Sequence, residues 1–207
     1  MALVKYNDNS ISAISSAGQL ATGSLVPIKT LTASGSASLS FVDGSDGVVL
    51  DSTYPIYKFE FINIHPSANA KSLTFQTDTG TNTNYNIACT TTAIKVYHNE
   101  PDSETELGYD TQYDSAQSTS FINLAEEIMS NDDSSVSGTL TIFNPSSNTF
   151  VKHFMSDMHG MRNDVYAWRF MKAGYFNTTT ALTRFQFKLN SGNIESGTIK
   201  LYGIKDS

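Results

Sequence analysis

Residues able to do chemistry are sparse in this chain, and they gather in three places. The first is the acidic run "HNEPDSETELGYDTQYD", which holds Glu100, Asp102, Glu104 and Glu106, with Asp110 and Asp114 beyond. Hard oxygen ligands at alternate positions are the raw material of a calcium site. The glycine and closing glutamate of an EF-hand loop are missing at their required offsets, so the run reads as a solvated acidic loop. "DGSDG" at 43–47 is read the same way, with Asp43 and Asp46 as turn formers rather than ligands.

The second place is "SDMHGMRND", which puts Asp157, His159 and Asp164 within eight positions. That mixture suits zinc or iron, but a metal needs three or four convergent ligands with second-shell support, and closeness in sequence does not supply convergence. His153, in "VKHFM", falls in a strand pattern, where a buried histidine bonded to backbone is an equal reading. The third is Cys89, the one cysteine. It rules out an internal disulfide and every multi-cysteine zinc pattern. Its setting, "IACTTT", has no cysteine–histidine signature, so it reads as a small packed hydrophobe.

No G-x-S-x-G elbow occurs, nor a phosphate loop or dinucleotide fingerprint. The expectation is therefore no enzyme, with no catalytic, cofactor-binding or metal residues and no cofactor. Aromatic residues are the remaining candidates for a contact surface: Tyr85, Tyr97, Tyr109, Tyr113, Tyr166, Trp168, Tyr175 and Tyr202. Tyrosine-lined surfaces recognise glycans and proteins. Trp168 alternates with Tyr166 and Phe170 and so belongs to a core, whereas Tyr109 and Tyr113, inside the acidic region, are expected to be exposed.

Period-two alternation dominates the elements that must carry these residues. "YKFEF" puts Tyr57, Phe59 and Phe61 on one face, and "RFQFKLN" does so with Phe185, Phe187 and Leu189. "GTIKLYGI" follows with Ile199 and Leu201. Further strands are expected at 24–32, 37–42, 72–77, 93–98, 138–143, 150–155 and 165–171. After Phe61 the apolar set shifts to Ile62 and Ile64, which predicts a bulge or a strand buried on both faces near the middle of a sheet. "DGSDG" predicts a hairpin turn, and "SGN" at 191–193 predicts another, making 183–190 and 197–204 adjacent antiparallel strands. "INLAEEIMS" has Ile122, Ala125 and Met129 at helical spacing, enough for two turns at most.

Many short strands with frequent turn signals point to an all-β fold: an antiparallel β-sandwich of jelly-roll type. Residues 25–207 are read as one such domain, with an acidic loop excursion near 99–135 and an extended N-terminal arm at 1–24. A chain of 207 residues buries roughly 70% of its unfolded surface and needs no staple. The start lacks a secretory signal and no run reaches the roughly 20 apolar residues of a membrane span, so no membrane partner is expected. The formal net charge is −7, with basic residues scattered singly, which argues against nucleic acid. About a quarter of the residues are Ser or Thr, and charged residues are only 16%, a polar but weakly charged surface suited to exposed strands.

Three stretches carry a resemblance: "MALVKYNDNSISAI", "LTIFNPSSNTFVKHFM" and "FQFKLNSGNIESGTIKLYGI". Together they resemble a family of virion structural proteins of marine tailed phages. The closing pattern SGxIxxGTIKLYG also resembles the last strands of jelly-roll domains on phage tails and heads. The resemblance covers both ends and much of the second half, while 99–135 looks particular to this chain. It carries no catalytic motif, so no site residue is transferred.

What it implies is a bacteriophage virion structural protein, made in the host cytoplasm and located in the virion. The preferred position is tail-associated or fibre-type, with the chain assembling through its arm as a trimer or hexamer. Other virion proteins, and a host-surface receptor or glycan, are the further partners. A capsid decoration protein is the alternative, and a monomeric carbohydrate-binding module is a second alternative from another class.

Overall fold

The computed structural model describes residues 24–162 and 165–205. Alternating apolar and polar residues leave one greasy face per strand, and thirteen strands form among the described residues. In chain order they are β1 (Leu25–Thr32), β2 (Leu39–Val42), β3 (Ile56–Pro66), β4 (Lys71–Thr79), β5 (Cys89–Asn99), β6 (Thr105–Tyr109) and β7 (Ser115–Ser118). β8 (Ile122–Ile128), β9 (Val136–Phe143), β10 (Lys152–Arg162), β11 (Tyr166–Phe176), β12 (Leu182–Leu189) and β13 (Ile194–Ile204) complete the set. The described residues include no helix, and hence none long and apolar enough to cross a membrane.

The pairings are antiparallel and nested. β1 pairs β13, β2 pairs β12, β3 pairs β9 and β4 pairs β8. A long hairpin rolled over on itself gives that order, and the β13–β3 and β12–β4 pairings then join its turns into two sheets. One sheet runs β1-β13-β3-β9 and the other β8-β4-β12-β2. Two four-stranded antiparallel sheets wired in this way are a jelly roll, as the alternation predicts.

The other five strands are insertions. β10 and β11 enter between β9 and β12, and β5, β6 and β7 between β4 and β8. They widen the first sheet to β9-β10-β11-β5, with β6 and β7 sharing the far edge of β5. A single pair, Arg162 with Ile128, joins β10 to β8 and ties the two sheets at one corner.

Phenylalanines fill the space between the sheets. Phe59 lies 5.3 Å from Phe185 and 5.2 Å from Phe41, and Phe75 reaches Phe154 at 5.2 Å under the widened sheet. Each such ring contributes roughly 1.5–3 kcal/mol by leaving water. The phase break in β3 is a bulge: Phe61 and Ile64 are buried, Ile62 and Asn63 face out, and the register against β9 slips between Phe61 and Ile64. β3 sits inside its sheet, between β13 and β9.

Four expectations are corrected. Residues 122–128 form β8, not a helix, because Ile122, Leu124 and Ile128 enter the core while Asn123 and Glu127 do not. β12 and β13 are not neighbours. The 190–193 link carries the chain from one sheet to the other, held by Asn190 N donating to Ser72 O at 2.9 Å and Ser67 N donating to Asn193 O at 3.0 Å. The 43–47 turn forms, but the following Val48 and Leu50 are buried loop residues and not a second strand. Region 99–135 is an excursion only in part, since β8 pairs β4 in the second sheet, sends Ile122, Leu124 and Ile128 into the core, and is followed by the buried Ser134. The 1–24 arm lies outside the described residues except for Ser24.

Candidate interaction surface

The acidic residues are dispersed by their partners. Asp102 takes His98 at 2.9 Å, Glu104 accepts the Tyr166 hydroxyl at 2.8 Å, and Asp114 accepts that of Tyr109 at 2.8 Å. Glu106 and Asp110 both approach Lys95, at 3.7 and 3.6 Å. Asp43 accepts Leu50 N at 2.8 Å, the behaviour of a turn former, and Asp46 pairs with Lys29. Asp157 is held by the Arg169 guanidinium through two bonds of 2.7 and 2.6 Å, which keep its carboxyl below the usual range. Asp164 lies outside the described residues. Among those residues, no three His, Cys, Asp or Glu side chains are placed to hold a metal.

His153 and His159 both point to solvent from β10, because Lys152, Phe154, Ser156 and Met158 take the inner face. The sequence offered His153 as a buried group, yet the buried polar residue there is its neighbour. Lys152 donates to Phe150 O at 2.7 Å and Thr178 O at 3.3 Å, and desolvation lowers its pKa. Cys89 is fully buried, and desolvation pushes its thiol up to about 12.

A second buried lysine sits under the insertion. Lys172 follows Trp168 and Phe170 on the inner face of β11, and its ammonium donates to the carbonyl of Tyr113. Burial brings its pKa down to about 8, while Asp110 pulls in the opposite direction. The Tyr113 ring stands edge-on to Phe170 at 6.0 Å, and its hydroxyl lies near the buried Glu126, whose pKa burial raises. Tyr113 is thus half-buried rather than the exposed contact expected of it. Tyr109 is 52% exposed and Trp168 only 6%, both as expected.

Two clefts open beside the 131–135 loop and share Asp133 and Ser135. His65 lines one of them and donates to Ser134 O at 2.6 Å, with Glu195 3.6 Å from its other nitrogen.

The surface without a covering layer is the outer face of the widened sheet. Its rows follow from the register. Thr141, Met155, Ala173 and Thr92 cross β9, β10, β11 and β5, and Met171, Ile94 and Tyr109 cross β11, β5 and β6. Met155 is 57% exposed, Ile94 38% and Leu107 77%. Small residues along the middle rows make a groove of about 460 Å³ walled by Ile94, Phe143, Met155 and Met171. It runs into a second hollow of about 440 Å³ beside Tyr175 that shares Thr92, Phe143, Met155 and Ala173. Lys172 borders the groove, but its ammonium is bonded to Tyr113 on the inner side; Asp157 and Arg169 neutralise each other.

Sequence reasoning passed over these residues, although a signal was there. β10 carries Phe154 and Met155 in succession, and β11 carries Phe170 and Met171. Apolar residues on both faces of an antiparallel strand mean a second layer on the side that would otherwise be wet.

The fold thus defines a jelly-roll domain with a widened sheet and an apolar groove on that sheet's outer face. Comparison with known proteins finds no matching family model, no matching curated protein and no matching solved structure.

Proposed function

We propose that the chain is a bacteriophage virion structural protein, a tail-associated or fibre-type component that assembles through residues 1–24. The observation that carries this reading is the uncovered apolar face on β6, β5, β11 and β10, with Leu107, Tyr109, Ile94 and Met155 open to solvent. A lone domain has no use for such a patch, whereas a subunit in a particle covers it. The jelly-roll wiring and the phage-like stretches at both ends of the chain support the same reading. β1 adds a further point, since it pairs only β13 among the described residues and follows directly on the arm.

Light scattering on the full chain and on a chain lacking residues 1–24 tests this. The full chain should measure as a trimer or hexamer, and the shortened chain as a folded monomer by circular dichroism. An unchanged oligomeric state after truncation would remove the assembly role of the arm. Labelling with an antibody against the chain on intact particles then distinguishes a tail position from a lattice of capsid-bound copies. A monomeric full chain that binds glycans on an array would favour the carbohydrate-binding module instead.

A further inference from the structure

The outer groove calls for an occupant with particular properties. Its walls are Ile94, Phe143, Met155 and Met171, its floor is Thr92 and Ala173, and the carboxylate and guanidinium facing it are already paired with each other. A guest must therefore be slender, apolar at intervals and free of unpaired charge, since a charged group laid there would lose water without gaining a partner. Among the residues that precede β1, one long stretch is of that kind. Residues 9–23, "NSISAISSAGQLATG", contain no charged residue and offer Ile11, Ile14 and Leu20 among small side chains.

Reach is sufficient. Twenty-three residues precede Ser24, and at about 3.3 Å per residue they span up to roughly 75 Å. From β1 to β10 the sheet order counts four strand spacings, about 19 Å in all. A segment that long is able to reach past its own domain.

We propose that the outer groove between β9 and β5 receives residues 9–23 of a second copy of this chain, so that each subunit clasps its neighbour. The assignment rests on the assembly reading above and adds the receiving surface to it. The groove supplies what an arm of this composition lacks. Each fixed residue costs about 1–2 kcal/mol of backbone entropy, so Ile11, Ile14 and Leu20 need apolar walls as well as backbone hydrogen bonds.

The test uses the full chain. A photoreactive phenylalanine analogue replaces Met155, copies labelled with heavy and light nitrogen are mixed, and the crosslinked peptides are identified by mass spectrometry. The expected result is mixed-label adducts to residues 9–23. Adducts confined to one label, adducts to residues 24–205 of the other copy, or no adducts would each overturn the assignment. In parallel, Met155→Glu and Ile94→Glu, both at exposed positions, should reduce the full chain to monomer mass in light scattering while its circular dichroism stays unchanged. An oligomer that survives both substitutions overturns the groove but leaves arm-driven assembly standing. A full chain that is monomeric without any substitution overturns both.

Discussion

The ring of Phe59 on β3 meets that of Phe187 on β12 edge to face at 5.0 Å, from opposite sheets of the sandwich. Phe187 also touches Phe41, Phe61 and Phe75, so one side chain binds rings from β2, β3 and β4. Phe187→Ala should therefore destabilise the fold by about 3–5 kcal/mol, the cost of a large cavity that four rings cannot close together. Urea unfolding would register this as a lower midpoint with unchanged slope. A loss under about 1 kcal/mol would mean that the two sheets are not packed as described.

Lys172 makes stability depend on pH. Its folded pKa, about 8, lies below the ordinary lysine value of 10.5, so between those values the unfolded chain binds more protons. Stability from this group is full above about 10.5 and is lost as pH falls through about 8. The difference corresponds to about 3 kcal/mol at most. Lys152 acts with the same sign, whereas Cys89 acts with the opposite sign above pH 9. The clean readout is therefore the difference between wild type and Lys172→Met. Thermal melts from pH 7 to 9 should rise more steeply with pH in the wild type. Parallel slopes would show that Lys172 is not desolvated.

Cys89 should behave as a clock for unfolding. Its thiol is fully buried and its folded pKa is about 12, against an ordinary thiol value of 9.0. A disulfide reagent at pH 8 should leave the native protein unmodified for hours and label it at once in denaturant. Rapid labelling of the native protein would mean that the β5–β11 contact opens readily. The same shift predicts that Cys89→Ala flattens the fall in stability above pH 9.

Gly197 is a backbone requirement. Its φ is +119°, and a Cβ there would lie 2.6 Å from Asn63 O and 2.8 Å from Ile64 Cα, at the bulge of β3. Gly197→Ala should cost about 1–3 kcal/mol through strain, with more from the clash. Gly44 is a useful contrast, because it also has positive φ, +72°, yet nothing lies within 4 Å of the place a methyl group would take. Its alanine variant should lose only the conformational part.

Strands were legible and their partners were not. "YKFEF" and "RFQFKL" declare an inner face by alternation alone, and both faces are found where they were expected. β8 escaped because Leu124, Ala125 and Glu126 are buried in succession, with the register against β4 slipping there, which breaks period two and leaves a false helical spacing. "SGN" has the residues of a hairpin turn. What decides its path is bonding to Ser67, some 126 positions earlier, which no local pattern encodes. The outer groove was half-visible in Met155 and Met171. Its geometry depends on the lateral order of β9, β10, β11, β5 and β6, which only the folded sheet shows.

The nested pairing has a consequence for synthesis. β1, the first described strand, takes β13, the last, as its partner, and β2 takes β12. Neither can find its place until nearly the whole chain has left the ribosome, a wait of roughly 10–40 s at about 5–20 residues per second. Throughout that time Phe41, Phe59 and Phe61 stand without Phe185 and Phe187, the rings of β12 that pack against them. The nascent chain should therefore depend on chaperone holding until β13 emerges, and a ribosome stalled before Ile194 should carry a chain that proteases cut freely.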